Sequence, residues 1–100
     1  MTLPAALRVI GKTYTVTGTT EGDYGETFSD DCRIEVRVTQ HHLQQADTLL
    51  HEAMHALDHE MHCGMTEPQI RRMATGLLAL LRDNPELAEF LLASPTDAGR

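Results

Sequence analysis

The stretch that decides the fold runs from residue 48 to residue 58 and reads TLLHEAMHALD. Within it, His51, Glu52 and His55 form the pattern HExxH, in which the two histidines are four residues apart. Residues at this spacing lie one above the other on an α-helix, so both imidazoles can reach one ion at about 2.0–2.1 Å. The segment therefore predicts a helix that carries two zinc ligands on one face.

Glu52 follows His51 directly and lies about 100° further around the helix. This offset makes Glu52 a poor third ligand for the same ion, but it places the carboxylate beside the metal. Zinc lowers the pKa of a bound water toward about 7, and a neighbouring carboxylate can accept the proton of that water as general base. The pattern predicts hydrolysis at a carbonyl group, with Glu52 as the catalytic residue and one zinc ion as cofactor.

Two histidines leave a catalytic zinc site one protein ligand short. Glu67, the first acid of the next helix, is the preferred candidate, although an acid in a first helical turn also stabilises the helix dipole without any metal. Glu60, on the far side of the motif helix, is the weaker alternative. His59 and His62 are expected to stay outside the site, since the former points away from the histidine pair and the latter lies too far along the helix.

Two more residues near the motif have chemistry that suits a metal site. Asp58 is three residues after His55, so it either orients a ligand imidazole by accepting a hydrogen bond or remains a solvated acid. Cys63 is a soft zinc ligand by chemistry, but no second cysteine stands near it in a CxxC arrangement. A structural cysteine site is therefore not expected.

The chain before the motif is predicted to form sheet. Residues 7–10 and 13–17 are rich in β-branched side chains and flank a predicted two-residue turn at 11–12. A polar, glycine-containing stretch over 18–31 is predicted to be a long loop, with a short strand near Phe28 as an alternative for part of it. Residues 32–38 alternate apolar and polar side chains, which is typical of a strand with one buried face.

Helical periodicity begins near Leu43 and is predicted to end at Cys63-Gly64. A second helix is predicted to begin after Thr66, which forms a capping box with Gln69, and a third to run from Asn84-Pro85 to about Ala93. The apolar stripe expected to pack on the core consists of Ala46, Leu50, Ala53, Leu57 and Met61. The sequence predicts one α+β domain over residues 1–100, with residues 96–100 as a frayed tail.

Composition restricts the partners of this domain. Fifteen acids against eight lysines and arginines give a formal charge of −7, which argues against nucleic acid and anionic membranes as partners. Two cysteines are too few for a disulfide framework. The sequence shows no signal peptide and no apolar run of about 20 residues, so a cytoplasmic location is expected.

Three segments, TLLHEAMHALD at 48–58, MTEPQI at 65–70 and GLLALLRDNP at 76–85, carry a family resemblance. They resemble small phage and prophage HExxH zincins, relatives of minimal gluzincins and of the ImmA/IrrE-type peptidases that cleave phage repressors. The resemblance covers most of residues 7–92. It implies a minimal zincin-like fold, in which a small antiparallel sheet packs on the motif helix and two further helices follow, and it supports Glu67 as the acidic ligand.

Zincins in general hold their substrate as an added strand on an edge strand beside the site. The resemblance therefore implies a peptide or protein substrate, bound along the strand predicted over 32–38. The leading interpretation is a zinc metallopeptidase. The alternative is a catalytically silent, phage-encoded zinc module for regulation or protein interaction, and a metal-free helical adaptor is the third. Glu52 favours the enzyme, because a structural zinc site has no need of an acid between its two histidines.

Overall fold

Four strands precede three helices along the chain. The computed structural model describes residues 2–94, so the predicted tail at 96–100 lies outside the described residues. The elements are β1 (Ala6–Val9), β2 (Lys12–Thr19), β3 (Gly25–Phe28), β4 (Arg33–Arg37), α1 (His42–Met61), α2 (Glu67–Asp83) and α3 (Pro85–Leu92). This is an α+β arrangement with the helices in the order that the sequence predicted, and none of the described helices is long and apolar enough to span a membrane.

The sheet is mixed, with the strand order β1-β2-β4-β3. The β1–β2 and β3–β4 pairs are antiparallel, whereas β2 and β4 are parallel. The prediction of an antiparallel sheet is therefore wrong at its centre. After β2 the chain forms β3 at the far edge of the sheet. A short 3-10 turn follows, and the chain then returns as β4, which lies between β2 and β3.

The strand predicted over 32–38 is consequently not an edge strand. It corresponds to β4, which bonds β2 on one side and β3 on the other. The edges of the sheet are β1 and β3. Alternation of apolar and polar residues reports which face of a strand is buried, but it carries no information about the position of that strand in the sheet.

The hairpin turn between β1 and β2 comes one residue earlier than the sequence predicted. Val9 pairs with Lys12, so the two turn residues are Ile10 and Gly11, with φ of 46° and 82°. Two positive φ angles define the type I′ turn that suits the twist of a hairpin, and Gly11 takes this conformation without strain. Ile10 does so at a cost, because a β-branched residue is disfavoured there.

One face of the sheet packs on α1. The main core cluster consists of Val9, Tyr14, Val16, Ile34, Val36 and Ala56, and α2 adds the buried residues Ile70 and Ala74. From α1 the buried residues are Thr48, Glu52 and Ala56. The predicted stripe is only half-buried, and its last member, Met61, is exposed. The helix turns a line of small and polar side chains toward the sheet, and periodicity of apolar residues alone does not reveal such a line.

The helix ends follow the predicted chemistry closely. The α1 helix ends at His62, which has a φ of 55°, one residue before the predicted end. The predicted capping box of α2 is confirmed, since Thr66 Oγ1 accepts from the Gln69 N–H and Gln69 Oε1 accepts from the Thr66 N–H. These caps fix where α2 begins relative to the end of α1.

Candidate metal centre

His51 and His55 lie one turn apart on α1, with their ring centroids 5.1 Å from each other. Their Nε2 atoms are 2.7 and 2.8 Å from the two carboxylate oxygens of Glu67, the first residue of α2. The ligand atoms of the three residues all lie within 4.8 Å of one another. The fold thus brings together the two histidines and the acid that the sequence selected as the preferred third ligand.

The position of Glu67 is set by the short connection between α1 and α2. The Asp58 side chain accepts a hydrogen bond from the backbone N–H of Met65 at 2.8 Å. The Asp58 backbone oxygen accepts from the N–H of His62 and of Cys63 as the helix ends. Asp58 therefore holds the connection in place, and the hydrogen bond to a ligand imidazole that the sequence suggested for it is not what the structure shows.

Glu52 lies beside the histidines on the sheet side of α1, and only 8% of its surface is exposed. Thr27 Oγ1 on β3 lies 2.8 Å from Glu52 Oε1 and 2.9 Å from the Glu52 backbone oxygen, so its one hydroxyl proton is shared between these two acceptors. Burial raises the pKa of Glu52, and the hydrogen bond from Thr27 opposes this shift. A carboxylate whose pKa is raised is a stronger proton acceptor than an exposed one, as general-base chemistry requires.

The close approach of β3 to α1 depends on Gly25. A Cβ atom at this position would lie 2.6 Å from Thr48 Cγ2 and 3.0 Å from Glu52 Cγ. Both distances are shorter than van der Waals contact, so the backbone of β3 reaches the helix only because residue 25 has no side chain. This contact places Thr27 within hydrogen-bonding reach of Glu52.

An open groove of about 800 Å³ lies between β3 and α1 and extends to the start of α2. The two histidines, Glu52 and Glu67 all line it. The groove gives a solvent-borne ligand access to the histidine Nε2 atoms and to the buried carboxylate at once.

The other metal candidates do not join the group. Glu60 faces the sheet instead, where Tyr14 Oη donates to its Oε2 at 2.7 Å and Lys12 Nζ lies 3.1 Å from its Oε1. The hydrogen bond from Tyr14, followed by that from Lys12, lowers the pKa of Glu60. Burial, with Glu60 as a second cause, raises the pKa of Tyr14 to about 12. This set of side chains stabilises the core, so Glu60 is wrong as an alternative ligand.

His59, His62 and Cys63 are exposed, and none of them belongs to the group of possible ligands found within residues 2–94. His59 lines the groove, whereas His62 forms the left-handed end of α1. The expectation that both histidines stay outside the site therefore agrees with their positions.

The sequence did not indicate Thr27 as a residue of the site. Thr27 lies in the stretch predicted to be mainly loop, 25 residues before its partner Glu52. A hydrogen bond between residues so far apart depends on the strand order, which no local pattern shows.

A scan against known protein families, a search of curated proteins and a search of solved structures each found no match to this chain. Support for a function therefore comes from the geometry of the chain's own residues.

Proposed function

We propose that this chain is a zinc-dependent metallopeptidase with a zincin-like fold, similar to the small phage and prophage zincins. His51, His55 and Glu67 would bind one zinc ion, and Glu52 would be the general base. The observation that carries the proposal is the convergence of two imidazole nitrogens and one carboxylate beside a buried second carboxylate.

The three donors fit zinc in kind and number. Two histidines and one glutamate are a ligand set that catalytic zinc sites use, with one position left open. Around a tetrahedral ion, ligand atoms at about 2.0–2.2 Å from the metal are about 3.3 Å apart. The observed separations of 2.7 and 2.8 Å between the Nε2 atoms and the Glu67 oxygens need to widen by only about half an ångström.

Bound zinc would supply Lewis-acid chemistry, in which it polarises a carbonyl and makes water more acidic. The chain itself supplies the proton transfers. Because Thr27 occupies Oε1 of Glu52, Oε2 remains to accept a proton from the attacking water. As the C–O bond forms and the C–N bond breaks, the same carboxyl would pass that proton to the departing amine nitrogen.

The strand that would hold an extended substrate is β3, since β4 is enclosed on both sides. This strand borders the groove and contacts Glu52 through Thr27. A peptide added along its free edge would lie beside the groove that the histidine pair lines. Recognition through the backbone places little demand on the substrate's side chains, which leaves specificity to charge and shape within the groove.

The test is zinc content and peptidase activity of the purified wild type beside four variants. His55→Ala is expected to lose zinc, and Glu67→Gln to bind it more weakly. Glu52→Gln should keep its zinc while hydrolysis falls by at least about a hundredfold, the lower range for a general base. His59→Ala, a histidine on the same helix outside the ligand group, is the matched control for zinc and should keep the zinc content of the wild type.

Two results would contradict the proposal. Stoichiometric zinc in His55→Ala would place the metal elsewhere in the chain. Activity of Glu52→Gln equal to that of the wild type would remove Glu52 from the reaction. Zinc binding at the three proposed ligands, with no hydrolysis by the wild type of any peptide in a broad library, would instead favour the catalytically silent zinc module.

A further inference from the structure

The outer edge of β3 has backbone hydrogen-bonding groups without a partner strand. The register that places Glu26 opposite Glu35 also places Tyr24 opposite Arg37. The Arg37 N–H donates to the Tyr24 oxygen at 2.8 Å, so Tyr24 and Arg37 are a hydrogen-bonded pair. In an antiparallel pair, bonded and non-bonded residues alternate. The backbone of Glu26 therefore bonds β4, whereas the N–H and C=O groups of the residues on either side of it point away from the sheet.

Those outward groups belong to Gly25 and Thr27, and no other segment within residues 2–94 pairs with them. Both residues line the groove next to Glu52. A free strand edge beside a groove is a template for one more extended chain, whose backbone would complete the hydrogen bonds that β3 leaves open.

The groove is also strongly acidic. Apart from the proposed base and ligand, Asp23, Asp47 and Asp58 line it, Glu26 borders it with a side chain on the other face of β3, and the only lysine or arginine in its lining is Arg71. Arg71 lies near Glu67, with 3.9 Å between its Nη2 and Oε1.

Two of these acids flank the path of an added strand on opposite faces. Side chains alternate along a strand, so Glu26 points to the face opposite that of Thr27, which turns toward α1. Asp47 lies on α1 one turn before His51, where it accepts a hydrogen bond from the Thr75 hydroxyl, a neutral donor that leaves its charge uncompensated.

Glu26 lacks a cationic partner within residues 2–94, and its cross-strand neighbour Glu35 is itself an acid. On the same face of β4, Arg33 pairs with Glu35, whereas Arg37 lies over the Tyr24 ring and donates to the Gly22 oxygen, so neither arginine forms an ion pair with Glu26. Opposite charges side by side on a sheet attract, so a cation on an added strand beside Glu26 would give this carboxylate the direct partner that β4 does not supply.

We propose that the occupant of this edge is an extended peptide with two successive basic residues. Successive side chains of an added strand point to opposite faces. One lysine or arginine would therefore lie beside Glu26 and the next would turn toward Asp47. The inference names the substrate class of the proposed peptidase and so rests on that function, but binding of the peptide requires no catalysis and is tested separately.

The experiment uses zinc-loaded Glu52→Gln protein, which binds without turnover, and a set of blocked, fluorescently labelled decapeptides. Each peptide is serine-rich and carries one pair of test residues, and the position of the pair differs from peptide to peptide. The pairs are Lys-Lys, Lys-Ala, Ala-Ala and Glu-Glu, and binding is measured by fluorescence anisotropy. The best Lys-Lys peptide is expected to bind about tenfold more tightly than its Ala-Ala counterpart. Glu26→Gln and Asp47→Asn should each reduce this preference by up to about fivefold, the range of one exposed ion pair.

Charge reversal separates a local contact from general attraction to an acidic protein. The Glu26→Lys variant should bind a peptide with glutamate at the position beside residue 26 more tightly than it binds the Lys-Lys peptide. Glu86→Lys, which changes the net charge equally on α3 outside the groove, should leave the preference of the wild type unchanged. Equal effects of the two variants would overturn the proposal, as would equal affinity for Lys-Lys and Ala-Ala peptides.

Amide hydrogen exchange locates the bound peptide. On addition of the Lys-Lys peptide, the amides of Gly25 and Thr27 should become protected, whereas those of Glu26 and Phe28 are already bonded to β4 and should change little. Protection elsewhere without protection at Gly25 and Thr27 would overturn the proposal. If the peptide binds at β3 but the wild type hydrolyses no peptide, the proposed peptidase activity is rejected and the proposed binding preference stands. If the wild type hydrolyses peptides equally well with and without basic residues, the binding preference is rejected and the peptidase activity stands.

Discussion

At the scale of single residues, the site depends on a carboxylate buried beside two imidazoles. HExxH predicts that His51 and His55 share a helical face, because a spacing of four residues is a local property of any helix. It also predicts Glu52 near the metal. The burial of Glu52 and its bond to Thr27 are products of the tertiary structure and have no local signal.

Replacement of Thr27 by valine tests whether this hydrogen bond controls Glu52. Valine keeps the shape of the side chain but removes the donor, so Glu52 loses the hydrogen bond that lowers its pKa. The pKa of Glu52 should rise further, and the acid limb of the kcat/KM profile should move to higher pH, because the base must be ionised to act. We expect zinc content to be unchanged, since Thr27 is not a proposed ligand.

Thr27→Ser is the matched control, because it keeps the hydroxyl and should keep the acid limb of the wild type. If Thr27→Val and Thr27→Ser give the same pH profile, the hydroxyl does not act on the base. A loss of zinc in Thr27→Val would indicate instead that the strand positions the metal ligands.

At the scale of elements, the sequence predicts the helices better than the sheet. Capping at Thr66 and the proline at residue 85 are local signals, and α2 and α3 begin where these residues predict. The parallel pairing of β2 with β4 instead depends on β3 at the far edge, and the sequence predicted β3 only as an optional short strand near Phe28 within a long loop. Because the groove is bounded by β3, the edge proposed to bind substrate could not be assigned from the alternation over 32–38.

The packing of β3 on α1 gives a prediction about Gly25. In Gly25→Ala, the new Cβ would be 2.6 Å from Thr48 Cγ2, and the strand must move away from the helix. Overpacking of this kind typically costs about 1–3 kcal/mol. We expect that loss in the free energy of unfolding, measured by urea denaturation, together with a marked fall in activity as Thr27 is drawn away from Glu52.

Gly76→Ala is the control for the loss of a glycine. Gly76 lies in α2, and a Cβ there would meet nothing within 4 Å. The substitution should stabilise the protein by about 0.5–1 kcal/mol, because alanine is favoured over glycine within a helix. Equal effects of the two substitutions would mean that β3 does not need its close approach to α1.

At the scale of the whole molecule, the proposed zinc site joins two parts of a small fold. The ligands come from α1 and α2, so the ion would connect the helix that packs on the sheet to the helix that follows it. A domain of 100 residues buries a modest share of its surface, and its stability is correspondingly limited. A ligand that binds only the folded chain adds directly to that stability.

Zinc should therefore raise the melting temperature by an amount that its affinity predicts. At free zinc about a hundredfold above the dissociation constant, the gain is about 2.7 kcal/mol. For a domain of this size, each kcal/mol shifts Tm by roughly 4–8 °C, so we expect a rise of roughly 10–20 °C in differential scanning calorimetry. A chelator should reverse the shift in the wild type and in His59→Ala, whereas His55→Ala should melt at one temperature with or without zinc. If zinc raised the Tm of His55→Ala by the same amount, the stabilising ion would bind at another site than His51, His55 and Glu67.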